Sequence, residues 1–140
     1  MVIVKRGDIF KCGADALVIP VNCVGVMGAG LAKQFKELFP ELFGVYREDC
    51  KQEEIVLGRV MVFTQVRPVE VMFPTKDHWQ DKSQYSDIYN GLLDLRHHVK
   101  GILAIPPLGA GLGGLDKSKV LELVKMVFCD KQEVWFIDND

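Results

Sequence analysis

Long apolar runs are missing from this sequence: nowhere do eighteen apolar residues follow one another, so no membrane-spanning helix is expected. The opening Met1-Val2-Ile3-Val4-Lys5-Arg6-Gly7-Asp8 has too few apolar residues for the core of an export signal. Cysteine is sparse, and Cys12, Cys23, Cys50 and Cys129 stand far apart without a C-x-x-C pair. That spacing suits neither a disulfide framework nor a cysteine zinc site, so reduced thiols in the cytoplasm are the expectation. An excess of charge is also lacking, since 17 basic residues face 19 acidic ones. Proteins that hold nucleic acid through many phosphate contacts carry a basic face, so any nucleic-acid partner here should be gripped locally, in a pocket. Linkers rich in proline or serine are absent, and the 140 residues are read as one domain spanning 1–140. Nothing on the helix faces demands a dimer, which leaves a monomer as the expectation.

What is present alternates in type. Val2 to Val4 read as a short opening strand, and Ala14 to Val21 as a longer apolar, β-branched run ending at Asn22, expected to be a central strand. Leu31, Phe35, Leu38 and Phe39 fall at near-helical spacing until Pro40 disrupts the pattern. Val60 to Gln65 and Val69 to Phe73 look like two strands joined by a turn at Arg67-Pro68. Ile88, Leu92, Leu95 and His98 mark one face of a helix, followed by a strand at Ile102 to Ile105. A helix from about Ser118 to Cys129 and a strand at Val134 to Ile137 complete the series. Such alternation predicts an α/β fold in three layers, α/β/α, with a central mixed, largely parallel sheet. Ligands of these sheets bind in loops beyond the carboxyl ends of the strands.

Two glycine-rich loops sit at such ends. The first runs Asn22-Cys23-Val24-Gly25-Val26-Met27-Gly28-Ala29-Gly30 between a strand and a helix. Glycines let the backbone approach a phosphate, while the N–H groups of the helix start supply donors and a favourable dipole. Gly25 alone reads better as a turn glycine, and Gly28 with Gly30 as ligand contacts. The second loop, Leu108-Gly109-Ala110-Gly111-Leu112-Gly113-Gly114-Leu115, holds four glycines within six residues. That density is costly in backbone entropy and is best explained where the chain wraps a ligand. Neither loop fits the dinucleotide G-x-G-x-x-G pattern or the P-loop, because no Lys-Ser/Thr follows the glycines and the acidic ribose anchor is absent.

Gly7-Asp8-Ile9, the strand ending in Asn22 and both glycine loops together resemble the macrodomain family over essentially the whole chain. Val21 to Gly28, with Phe73-Pro74-Thr75-Lys76 and Pro106-Pro107-Leu108-Gly109, resembles the branch of DNA ADP-ribosyl glycohydrolases, close to the terminal ADP-ribose protein glycohydrolases. The resemblance implies that Asp8 accepts from the adenine amino group and that the Ile9 backbone fixes the ring. It implies too that Asn22 lies near the distal ribose, and that Gly25, Val26, Met27, Gly28 and Gly30 hold the diphosphate and distal ribose together with Leu108, Gly109, Ala110, Gly111, Leu112 and Gly113. Lys76 is implied as the catalytic residue, an amine acting at the anomeric carbon of the distal ribose. ADP-ribose is then the ligand or product, ADP-ribosylated DNA or protein the substrate, and neither metal nor cofactor is required. A non-catalytic ADP-ribose reader and an ADP-ribose 1″-phosphate phosphatase stay open as alternatives.

Some residues depart from that pattern or carry a second reading. In protein-directed relatives an aspartate in the second loop assists the lysine, whereas Gly113 stands there in this sequence and Asp116, three residues on, reads as a helix cap. Trp79, in the stretch after Lys76, reads equally as a base-stacking ring or as packing over the sheet edge. His78 is a candidate proton carrier beside Lys76, though a lone histidine is more often structural. His97 and His98 lie far from both loops and are assigned no function.

Overall fold

The computed structural model describes residues 1–139. Six strands form one sheet: β1 (Val2–Arg6), β2 (Ala16–Asn22), β3 (Met61–Phe63), β4 (Val69–Lys76), β5 (Leu103–Ile105) and β6 (Val134–Asp138), in the order β1-β6-β5-β2-β4-β3. All neighbouring pairs are parallel except β3 with β4, so the sheet is mixed and largely parallel, as expected. β2 is interior, between β5 and β4. Its side chains from Ala16 to Ile19 are each at most 2% exposed, which explains a continuous apolar run instead of an alternating one.

Four helices cover the sheet: α1 (Gly30–Leu38), α2 (Pro40–Lys51), α3 (Tyr85–His98) and α4 (Lys117–Phe128). On one face Val18, Val71, Phe73, Ile105 and Phe136 pack with Ile88, Leu92 and Leu95 of α3 and Val120 and Val124 of α4. On the other, Ile19, Val21 and Met72 meet Phe35 of α1 and Leu42 and Tyr46 of α2. The three-layer expectation therefore holds. At Gly91 of α3 a Cβ would lie 2.4 Å from Phe73 Cζ, so the missing side chain is what lets α3 approach β4.

One helix went unread in the sequence. Pro40 ends α1 but also starts α2 at its first turn, where a proline costs no hydrogen bond and its φ is already helical. The buried faces of α2, Leu42, Tyr46 and Cys50, recur every four residues, a signal the breaker reading of Pro40 had obscured. β4 is also longer than expected, running through Pro74 and Thr75 to Lys76, and β3 is shorter than Val60 to Gln65.

Candidate functional site

The two glycine loops leave the carboxyl ends of the neighbouring strands β2 and β5, and the chain after β4 emerges on the other side of β2, since β4 and β5 flank it. Asn22, buried at the tip of β2, organises the first loop. Its Oδ1 accepts from the N–H groups of Val24 (3.1 Å) and Val26 (3.3 Å), and its Nδ2 donates to the Val26 carbonyl at 2.8 Å. The buried Tyr46 hydroxyl of α2 donates to Asn22 O at 2.7 Å and Oδ1 at 3.0 Å. Burial pushes the Tyr46 phenol far above its ordinary value, so it stays a donor. Asn22 is thus first of all the residue that shapes the loop, and Tyr46 is a site residue that sequence reasoning missed.

Gly25 has φ +84° and a Cβ there would sit 3.1 Å from Arg47 Cγ, a turn glycine packed on α2. Gly28 has only Val26 within 4 Å, and Gly30 opens α1 with φ +58°. Ala29, the N-cap of α1, makes no side-chain cap bond, so the first-turn N–H groups are open to an anion. Met27 is buried, whereas Val24 and Val26 are exposed. Burial and the nearby Asp77 push the Cys23 thiol up to about 12, which holds it protonated.

Lys76 ends β4 beside Asn22. Val21 pairs with Pro74 and Asn22 with Lys76, so Thr75 is an extra residue that bulges β4. Bulges interrupt pairing and re-aim the next side chain, and here the interruption falls on the residue before Lys76. Pro74 fits the same place, since a strand interior accepts proline only where the ladder is broken or open.

Residues 77–83 then link the two loops. Cys23 N donates to the Asp77 carbonyl at 2.8 Å, and Ser83 N to the Gly113 carbonyl at 3.0 Å. Between these anchors His78 N donates to Asp81 Oδ2 at 3.0 Å and Gln80 N to His78 Nδ1 at 3.2 Å. In the second loop a Cβ at Gly113 would lie 2.3 Å from Ser83 Oγ and 2.5 Å from the Gly109 carbonyl, and one at Gly109 2.9 Å from Ser83 Cβ. Gly109 has φ +73°. Gly111 is unobstructed, Leu108 is fully buried, Ala110 is partly buried, and Leu112 is exposed at the tip. Ser83, 4% exposed with an unbonded hydroxyl, is the second residue the sequence reading did not single out.

Asp8 precedes the 3-10 turn Ile9–Lys11 and caps it, Oδ1 accepting from Phe10 N at 2.9 Å and leaving Oδ2 for another donor. Ile9 is buried beneath. A cavity of about 500 Å³ begins at this turn, lined by Ile9, Phe10 and Leu17, and reaches Arg67-Pro68 at the far ends of the strands, away from the glycine loops. Asp116 caps α4, accepting from Ser118 N at 2.8 Å and Ser118 Oγ at 2.6 Å, which lowers its carboxyl. His98 lies 3.1 Å from Asp94 on α3. Among the described residues no group of three or more His, Cys, Asp or Glu is placed to hold a metal ion, and no helix is long and apolar enough to cross a membrane.

Comparison with known families decides what this arrangement is. The family model described as Macro domain matches residues 18–124. The chain belongs to the Macro domain family. Along its sequence the macrodomain is 39% identical over 136 residues to a protein of Mycobacterium tuberculosis named DNA ADP-ribosyl glycohydrolase, covering 91% of this chain and 39% of that protein. The protein of the same name from Thermus aquaticus is 36% identical over 140 residues, covering 93% of this chain and 39% of its own length. The chain thus spans about two fifths of the length of these relatives. In structure the macrodomain superposes on the macrodomain of Mycobacterium tuberculosis DarG with TM-score 0.92 at 37% identity, covering 100% of this chain and 98% of that one. It matches Thermosipho africanus DarTG, solved in complex with ADP-ribose, with TM-score 0.87 at 30% identity, covering 97% of this chain and 41% of that one.

Proposed function

We propose that this macrodomain is an ADP-ribosyl glycohydrolase that releases ADP-ribose from modified DNA bases, with Lys76 as its catalytic residue. The observation that carries the reading is the placement of Lys76, on a bulged strand end beside Asn22 where the first glycine loop begins, in a chain 36–39% identical to proteins named DNA ADP-ribosyl glycohydrolase. Asp8 and the Ile9 backbone would take adenine, the capless start of α1 and the first loop the diphosphate, and the second loop the distal ribose. Lys76 Nζ then bonds to the anomeric carbon as that carbon's bond to the base breaks, the attacking amine's proton passes to the leaving base, and water displaces the lysine, its hydroxyl going to the anomeric carbon and its proton back to Nζ. The chain uses a lysine without a carboxylate on the second loop, because Gly113 has no room for a side chain.

The proposal extends to setting. Four free cysteines favour a reducing, cytoplasmic compartment, and the named relatives support a part in reversing DNA ADP-ribosylation, as an antitoxin does. A second reading rests on one observation: 45% identity over 47 residues, a third of this chain, to proteins named ADP-ribose 1″-phosphate phosphatase.

The test compares an oligonucleotide ADP-ribosylated on a base, a protein ADP-ribosylated on an acidic residue, and ADP-ribose 1″-phosphate, each with wild type and Lys76→Ala. Release from the oligonucleotide by wild type alone is expected. Release from the protein only would move the substrate class, phosphate release only would select the phosphatase, and no turnover with ADP-ribose still bound would make the domain a reader.

A further inference from the structure

Of the large apolar side chains left in solvent, four stand on the glycine loops or on the segment that ties them together. Val24 and Val26 on the first loop, Trp79 on the linking segment and Leu112 on the second loop are 44%, 44%, 49% and 75% exposed. They stand on the three segments that leave the carboxyl ends of the parallel strands β2, β4 and β5. An apolar rim around a phosphate cradle is suited to rings, not to further phosphates.

Trp79 is held there by its neighbours. The segment that carries it is tied to the first loop through Cys23 N and the Asp77 carbonyl, and to the second through Ser83 N and the Gly113 carbonyl. Its interior is closed by Asp81 N to the His78 carbonyl at 3.0 Å, His78 N to Asp81 Oδ2 at 3.0 Å and Gln80 N to His78 Nδ1 at 3.2 Å. The His78 ring lies 5.3 Å from the Trp79 ring at 32°. An exposed indole on a backbone so constrained loses little freedom when a second ring covers it. The polar groups around it argue for a base and against a phosphate track: Asp77 and Asp81 flank it, and Lys82 is turned toward Gly114, its Cδ 3.5 Å from the position of a Cβ there.

We infer that Trp79 is a stacking platform for an unpaired base of the substrate strand, next to the nucleotide whose ADP-ribose enters the loops. The platform needs an unpaired base, because a base inside a duplex has no free face to offer. This rests on the DNA hydrolase reading above, and it adds a specificity-determining residue outside the ADP-ribose cradle.

The experiment has a binding arm and a kinetic arm. In a Trp135→Phe background, so that Trp79 is the one emitting indole, an unmodified single-stranded oligonucleotide is titrated against the protein, with the matching duplex as control. Quenching by the single strand and not by the duplex is expected. Trp79→Ala, compared with Trp79→Phe by anisotropy of a labelled strand, should weaken binding about tenfold while the phenylalanine variant retains most of it. In the kinetic arm Trp79→Ala should raise KM for an ADP-ribosylated oligonucleotide about tenfold more than KM for the ADP-ribosylated mononucleoside. Equal strand binding by wild type and Trp79→Ala overturns the platform, as does a loss that appears only with an ADP-ribosylated protein. The binding arm needs no turnover: strand binding through Trp79 in a protein that releases no ADP-ribose would keep the platform and discard the hydrolase, and turnover of oligonucleotide insensitive to Trp79→Ala would do the reverse.

Discussion

At the scale of single residues, the site depends on groups that act directly and on groups that hold those in place. Lys76→Ala should lower kcat for ADP-ribose release at least about 100-fold, the range for loss of a positioned acid, base or nucleophile, with bound ADP-ribose still seen by calorimetry. Tyr46→Phe tests the supporting kind. It removes the donor to Asn22 O and Oδ1, which should cost about 1–3 kcal/mol in urea unfolding and weaken ADP-ribose binding, since Asn22 then holds Val24 and Val26 less firmly. Asn22 stood out in the sequence as the end of an apolar strand running into a glycine loop, where α/β sheets keep their ligands, whereas Lys76 was singled out through the family resemblance alone. Tyr46 was not, because its partner lies 24 residues away along the chain and no local pattern links a helix tyrosine to a strand-end amide.

At the scale of elements, glycines decide which surfaces can touch. Gly91→Ala would gain about 1 kcal/mol of helix propensity, but its methyl would lie within 3.0 Å of three Phe73 ring atoms. Phe73 is fully buried and cannot yield, so a net loss of stability is expected, read as a lower urea midpoint with unchanged slope. The strain should also reach function, because Phe73 lies on the strand that ends at Lys76. Gly113→Ala meets a carbonyl at 2.5 Å, which no rotamer relieves, so the second loop must open and ADP-ribose affinity should fall at least tenfold by calorimetry. The glycine density of that loop reads in the sequence as ligand wrapping. Part of it instead serves the contact with Ser83, which the sequence places on a different segment.

At the scale of the whole molecule, one charge is out of place. Glu70, inside β4 between β2 and β3, is fully buried with both carboxylate oxygens unbonded, and burial pushes its carboxyl from 4.5 to about 8. Below 4.5 the carboxyl is protonated in the folded and unfolded chain alike, and its contribution is fully retained. Between 4.5 and about 8 the unfolded chain releases a proton that the folded one keeps, so stability falls as pH rises, by at most about 1.4 kcal/mol per pH unit. Glu70→Gln removes the titration. Urea midpoints at pH 5 and pH 8 should therefore fall in the wild type and change less in the variant; parallel profiles would show that Glu70 is not the group responsible.

The sequence by itself determined the alternation of strands and helices, the interior place of β2 and the two glycine loops, because each is written in a local period or a local composition: a β-branched run, an i, i+4 stripe, four glycines in six residues. Tertiary structure decided the rest. The bulge at Thr75 exists only once β4 is in register with β2, Tyr46 meets Asn22 only when α2 lies on the sheet, and Ser83 meets Gly113 only when the chain after β4 crosses to the loop after β5. Those contacts join residues distant in sequence, and what makes them is the packing of separate elements on one sheet, to which no single stretch of chain holds the key.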